Sequence, residues 1–234
     1  MLTNNTIKKI RSLSLKKNRK AEGLFVAEGE KIVNELIDSA FEIESIFATS
    51  EWKGSDAVII SEKELSRISF LKTPNKVLAV VRIPAESNTI SGETIIALEG
   101  ISDPGNLGTI IRLADWFGVE HILCSENSVD YLNPKVVQSS MGSISRVKVH
   151  YVNLDTDLNN YPDYKRYVTV MDGDDYREID FSSKRILIFG NESKGISESV
   201  LDSEVNKISI PKAQNSNAES LNIAVACGIF LSRL

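Results

Sequence analysis

The chain is poor in the residues that build covalent or metal-centred scaffolds: its 234 residues include two cysteines and two histidines. Cys124 and Cys227 lie far apart, match no metal-ligand spacing and each fall in an apolar run, so both are expected to be buried, reduced thiols. His121 and His150 sit at the edges of apolar runs with no carboxylate or cysteine motif around them, which points to structural roles and to no metal. No apolar run approaches the ~18–20 residues needed to cross a bilayer, and the basic first 20 residues lack the apolar centre of a secretory leader. A cytoplasmic protein with no membrane association is expected. Two phosphate fingerprints are also missing. There is no G-x-G-x-x-G, and the loop from Gly190 to Gly195 is followed by Ile196, where a P-loop needs Lys and then Ser or Thr.

What is present is an ordinary globular composition, 42% apolar, with an uneven charge distribution. Residues 1–84 carry 14 basic and 11 acidic side chains, whereas residues 85–234 carry 13 and 21. The first 20 residues hold seven bases and no acid. A basic arm on an acidic body can bring a phosphate polymer to a site that is not itself strongly basic, although runs such as Lys16-Lys17-Asn18-Arg19-Lys20 also cover plain solvated surfaces.

Apolar residues at Ile7, Ile10 and Leu13 predict a helix over 2–15 with Thr3 as its cap, followed by a basic turn at 16–20. A strand at 23–27, a helix from Gly29 to residue 40, strands at 43–48, 58–60 and 77–83, and a short helix opened by a Ser61/Glu64 capping box form a small α/β domain over 1–84. The polar, proline-containing stretch at 84–92 marks the boundary, with 85–92 as linker. From residue 93 to 234, strands at 95–98, 121–124, 147–149, 167–171, 186–189 and 208–210 alternate with helices at 107–117, 133–139, 197–201 and 220–231. Short, continuous apolar strands between helices predict an α/β domain with a parallel sheet covered on both faces.

Such sheets bind ligands beyond the carboxyl ends of their strands. Three loops fall there. In the first, Asp103-Pro104-Gly105 makes a turn, Asn106 is placed to cap the next helix, and Arg112 lies off that helix's apolar stripe; taken alone, this is a capped helix with a surface arginine. The second, Gly190-Asn191-Glu192-Ser193-Lys194-Gly195, can be a plain turn or one whose backbone approaches a flat ligand closely. The third runs from Ile210 and Pro211 to Asn222, with Ser220 as the expected cap of the last helix and Asn222 an unexpected residue just inside it. That helix carries the small residues Ala224, Ala226 and Gly228.

Together these loops resemble the three signatures of the SpoU (TrmH) family of RNA ribose 2′-O-methyltransferases, in the SPOUT superfamily. The first signature is similar to Asp103-Pro104-Gly105-Asn106-Leu107-Gly108-Thr109-Ile110-Ile111-Arg112. The second is similar to Ile188-Phe189-Gly190-Asn191-Glu192-Ser193-Lys194-Gly195-Ile196, and the third to Ile208-Ser209-Ile210-Pro211 with Ser220-Leu221-Asn222-Ile223-Ala224. Upstream, Arg19 to Lys31 resembles the family's N-terminal substrate-binding domain, of L30e-like fold.

The resemblance implies a methyltransferase domain over 93–234 ending in a deep trefoil knot, an RNA substrate-binding domain over 1–84, and a homodimer. It implies S-adenosylmethionine as methyl donor, held by Gly190, Asn191, Glu192, Ile210 and Leu221. Around the acceptor ribose it places Arg112, Asn106, Glu192, Ser220 and Asn222. On the same footing Lys16, Lys17, Arg19 and Lys20 are expected to contact RNA, with 23S ribosomal RNA as the substrate and transfer RNA as the alternative. A catalytically silent RNA-binding member of the family is the other alternative. Lys212 after Ile-Pro and the acidic stretch Asp172-Gly173-Asp174-Asp175 depart from the family pattern.

Overall fold

The computed structural model describes residues 2–54, 56–85, 89–201 and 205–234. It forms two compact units: residues 1–88 with 130–145, and residues 89–129 with 146–234. Of the predicted linker, residues 86–88 lie outside the described residues.

The first unit is built on a four-stranded sheet of order β1-β4-β2-β3. Strands β1 (Leu24–Glu28) and β2 (Ile43–Ala48) flank β4 (Val77–Arg82) antiparallel, and β3 (Val58–Ile59) lies parallel to β2. Alternation along β1 sends Leu24 and Val26 to one face and Phe25 and Ala27 to the other, so the strand is buried throughout. One face packs on α1 (Asn4–Ser12) and α4 (Glu62–Ile68) through Ile10, Leu65 and Ile68. The capping box of α4 is complete, and Glu64 also accepts from the Leu2 amide at 2.8 Å. These backbone bonds, with the Ser61 hydroxyl, lower the Glu64 carboxyl to a pKa of about 2. The other face packs on α3 (Glu30–Ile37) through Ile32, Val33 and Leu36.

Two sequence expectations are corrected here. The basic turn at 16–20 is a helix, α2 (Lys16–Glu22), closed by Gly23 in the left-handed region. Its Arg19 is 2% exposed: the guanidinium pairs with Asp130 and donates to the Leu13 and Ser14 carbonyls, at 2.8 and 2.9 Å. Arg19 is therefore withdrawn from the RNA-contacting set, because every edge of its fork is turned into the protein, while Lys16, Lys17 and Lys20 remain exposed.

The second concerns the segment 130–145, which the sequence pattern assigns to the C-terminal domain. It packs with the first unit: Leu132, Val137 and Ile144, around α6 (Pro134–Ser140), join Phe25, Val33 and Ala79 in one buried cluster. Burial of each such aliphatic side chain contributes about 1.5–3 kcal/mol. Helical periodicity reveals an apolar face but not the core that face will join.

The second unit holds six parallel strands in the order β10-β8-β9-β5-β6-β7. These are β5 (Thr94–Leu98), β6 (His121–Ser125), β7 (Lys148–Val152), β8 (Lys165–Asp175), β9 (Arg185–Phe189) and β10 (Asn206–Ser209). The central pair β5 and β9 is almost wholly buried, as its unbroken apolar sequence requires. Helices α7 (Leu154–Asp157) and α8 (Glu198–Leu201) contribute Leu154 and Val200 to the cluster around Ile95, Ile186 and Ile188. On this sheet α5 (Pro104–Trp116) packs against α9 (Ile223–Leu231), where Gly228 faces Leu113. The acidic stretch at 172–175 is the end of β8: Asp174 and Asp175 pair with Ile208 and Ser209, and Asp175 also binds Arg177.

Cys124 and Cys227 are buried, and burial pushes both thiols up. His121 Nδ1 lies 3.1 Å from His150 Nε2 across β6 and β7. Burial, then His150 and Lys148, hold His121 below its usual pKa. Among the described residues no helix is long and apolar enough to cross a membrane, and no cluster of three or more His, Cys, Asp or Glu could hold a metal ion.

Candidate active site

The carboxyl ends of β5, β9 and β10 deliver the three singled-out loops to one end of the parallel sheet. The first continues into α5, whose cap is Asp103: its Oδ1 accepts the Asn106 amide at 2.8 Å, and Pro104 takes the first helical position. The sequence places this cap at Asn106. Asp-Pro is itself a helix-start signal, since proline lacks only a donor that is unpaired in the first turn. Asn106, relieved of capping, has its side chain free for longer contacts.

A similar exchange occurs at α9. Asn222, not Ser220, is the cap, its Oδ1 accepting the amides of Ala224 at 2.9 Å and Val225 at 3.3 Å. This explains why a poor helix former stands there. The cap leaves Asn222 Nδ2 available, and it donates to Asn106 Oδ1 at 2.9 Å. Asn106 Nδ2 in turn donates to Glu192 Oε1 at 3.0 Å. One hydrogen-bonded line thus runs from the cap of α9 through the first turn of α5 to a carboxylate on the 190–195 loop. Each amide is oriented by its partners: Asn106 cannot flip without setting donor against donor at Asn222 and acceptor against carboxylate at Glu192.

The 190–195 loop is a closed turn. Asn191 and Gly195 exchange backbone hydrogen bonds at 2.9 Å in both directions, and Gly195 has a φ of +71°. A side chain at 190 would run into the main chain of Gly195 and Ile196, so the close approach itself demands glycine. The Asn191 side chain is fully occupied within the protein. Its Oδ1 accepts the Ser193 and Lys194 amides, both at 2.9 Å, and its Nδ2 donates to the Gly100 carbonyl at 2.6 Å.

Other singled-out residues stand outside this network. Arg112 is exposed on α5, and its guanidinium makes no hydrogen bond or ion pair among the described residues. Ser220 is exposed and likewise without a hydrogen bond among them. Leu221 is 49% exposed and Ile210 is half-buried, two apolar side chains bordering the polar 211–220 stretch. Local pattern reading gives no reason to single out Glu99, Gly100 and Ser125, which brace the 190–195 loop from β5 and β6. Their contacts span 25 to 98 residues of sequence.

The site therefore offers a fixed carboxylate and two oriented amides, an open guanidinium on a neighbouring turn of α5, and a tight glycine turn near exposed apolar surface. Such a set suits a ligand with a flat, partly apolar part and a second ligand bearing hydroxyls and a phosphate.

Known proteins resemble this chain in sequence and in fold. The family model described as the SpoU rRNA Methylase family matches residues 93–232, and the MRM3-like substrate binding domain matches residues 4–79. The 23S rRNA (guanosine(2553)-2′-O)-methyltransferase RlmP of Bacillus subtilis (strain 168) is 30% identical, over 99% of this chain and 96% of that protein. The crystal structure of an AdoMet-bound rRNA methyltransferase from Sinorhizobium meliloti superposes with a TM-score of 0.88 at 30% identity, covering 100% of this chain and 95% of that one. The SpoU methyltransferase AviRb of Streptomyces viridochromogenes, in complex with AdoMet, shares the fold at 22% identity, with a TM-score of 0.86 and coverage of 99% and 97%.

Proposed function

Because the chain belongs to the SpoU rRNA methylase family, we propose that it transfers the methyl group of S-adenosylmethionine to the 2′-hydroxyl of a ribose in 23S ribosomal RNA, in the cytoplasm. The observation that carries this is the Asn222–Asn106–Glu192 line, which closes across 116 residues of sequence beside the glycine turn. S-adenosylmethionine fits the residues present: a turn too tight for any Cβ at 190, with Ile210 and the exposed Leu221 available to cover an aromatic base. The main chain of Gly190, Asn191 and Glu192, with Ile210 and Leu221, would hold it. Asn191 would act through its backbone, since its amide side chain is already occupied.

When bound, the cofactor would supply a methyl carbon on a sulfonium; the ribose oxygen would bond to that carbon as the neutral thioether leaves, and the hydroxyl proton would pass to water or a basic side chain. The chain's own contribution is to place that oxygen and to stabilise the charge it develops. Glu192 and Ser220 line up hydroxyls by hydrogen bonding, Asn106 and Asn222 hold the Glu192 carboxylate in place, and Arg112 faces the developing alkoxide and the adjoining phosphate. Alignment of this kind lowers a barrier by at most about 7–11 kcal/mol.

The direct test is incubation of the purified chain with methyl-labelled S-adenosylmethionine and either 23S rRNA or tRNA. Label should enter 23S rRNA and protect one phosphodiester from alkaline cleavage, with the guanosine served by RlmP the first position to map. Label in tRNA alone, or in neither, overturns the proposal.

Two further parts of this function are proposed with it. Lys16, Lys17 and Lys20, exposed on α2, contact RNA phosphates. Replacing all three by alanine should weaken RNA binding and reduce the slope of log K against log[salt] by about 2–3, as three lost phosphate contacts require. An unchanged slope would remove them from the interface.

A second copy of the chain covers exposed apolar side chains of α5 and α9, where Trp116 is 82% exposed and Val225 is 53% exposed. Light scattering should give about twice the 25.9 kDa chain mass, and Trp116→Asp should shift it toward one chain. A wild type at 25.9 kDa would exclude the dimer.

A further inference from the structure

Consecutive residues at the end of β5 hold the two ends of the 190–195 loop. Glu99 continues the ladder by donating its amide to the Phe189 carbonyl at 2.9 Å, and its Oε2 accepts the Ser197 amide at 3.0 Å. Gly100 receives the Asn191 side chain on its carbonyl at 2.6 Å. The Gly100 amide is held from its other side, donating to Ser125 Oγ at 2.7 Å. That hydroxyl donates to Asn127 Oδ1 at 2.6 Å, with Ser128 Oγ 3.0 Å away.

The order of these bonds matters. Asn127 orients the Ser125 hydroxyl, Ser125 fixes the Gly100 peptide, and that peptide anchors Asn191. The same Asn191 amide gathers the Ser193 and Lys194 amides and so sets the curvature of the turn. It cannot rotate to compensate for a displaced Gly100, because a flip would turn its NH₂ toward two N–H donors. Any drift of the Gly100 peptide is therefore passed to the main chain between Gly190 and Gly195.

We propose that Ser125 and Glu99 are positioning residues of the methyl-transfer site, acting on the donor through the 190–195 turn while standing at the end of β6 and just past the end of β5. This rests on reading that turn as the wall of the S-adenosylmethionine site. Ser125 belongs to no motif loop, and Glu99 precedes the first signature.

The test compares wild type, Ser125→Ala, Ser125→Thr and Glu99→Ala by calorimetric titration with S-adenosylmethionine, by steady-state transfer to 23S rRNA and by thermal melting. Loss of the Ser125 hydroxyl leaves the Gly100 amide without its acceptor, and Kd and KM for S-adenosylmethionine should rise about five- to tenfold. The value of kcat at saturating donor should change by less than about twofold, because the acceptor residues are untouched. Ser125→Thr, which keeps the hydroxyl, should restore donor affinity to near wild type. Glu99→Ala, which removes the acceptor of the Ser197 amide and so is an independent route to the other end of the turn, should also raise KM for the donor without lowering kcat. A general loss of stability would instead lower the melting temperature and the active fraction while leaving KM in place.

If wild type binds S-adenosylmethionine and both Ser125→Ala and Glu99→Ala bind it equally well, the positioning role is wrong. Equal damage in Ser125→Thr and Ser125→Ala also overturns it. A wild type that does not bind S-adenosylmethionine overturns the underlying assignment of the turn instead.

Discussion

Gly190→Ala is expected to lower the affinity for S-adenosylmethionine at least about a hundredfold, and transfer with it. A Cβ at this position would stand 2.4 Å from the Gly195 carbonyl carbon, 2.6 Å from its oxygen and 2.7 Å from the Ile196 nitrogen. All three are backbone atoms, so no side chain can rotate aside. The turn must open, giving up the paired Asn191–Gly195 bonds and the curvature that presents the Gly190 peptide. Two lost hydrogen bonds plus local rearrangement cost roughly 3 kcal/mol, or about a hundredfold in affinity. Gly195→Ala makes the internal control. There φ is +71° but nothing lies within 4 Å of the added carbon, so only the left-handed backbone penalty of about 1–2 kcal/mol applies. Calorimetry should therefore rank wild type above Gly195→Ala and Gly195→Ala above Gly190→Ala. Binding by Gly190→Ala within threefold of wild type would show that the turn is not a wall of the donor site.

Arg112→Ala should reduce kcat by about 10²–10³ while changing the donor Kd little, the loss typical of removing one charged stabiliser of a transition state. The guanidinium is exposed and makes no hydrogen bond or ion pair among the described residues, so its whole fork is open to a ligand. A guanidinium gives up a proton only above about pH 12 unless its surroundings are strongly perturbing. The favoured role is accordingly the charged one, a fork that spans the developing alkoxide and a phosphate oxygen. On that role Arg112→Lys is nearly as impaired as Arg112→Ala, because an ammonium cannot make the same bidentate contact. If Arg112 is the base, Arg112→Lys instead keeps activity that climbs with pH as the amine deprotonates. A pH–rate profile of the lysine variant decides between the two roles.

The sequence made different layers of this protein legible to different degrees. Strands β5 and β9 announce themselves as unbroken apolar runs because both faces of each are covered. The Ser61/Glu64 box is equally plain, since its two bonds lie within one helical turn. The lysine-rich 16–20 stretch misleads because its one inward residue, Arg19, is polar and gives no hydrophobic signal. Asn106 and Asn222 could be marked by their motifs, yet the bond between them joins residues 116 apart, beyond any periodicity. The trefoil knot is an implication of the family resemblance alone, because hydropathy carries no record of which segment threads another.

The return of residues 130–145 to the first unit bears on how the chain is made. During synthesis the basic N-terminal part emerges first, but the segment completing its core ends only at residue 145, about sixty residues after residue 85. At ribosomal speeds of about 5–20 residues per second, that leaves an incompletely covered sheet face waiting for roughly 3–12 seconds. The same dependence holds for any shortened protein. Removing residues 1–84 would strip Leu132, Val137 and Ile144 of the partners that bury them, and a fragment ending at 84 would lack those three side chains. The two units are therefore inherited together, and substitutions such as those at Lys16, Lys17 and Lys20 can separate their proposed roles where truncation cannot.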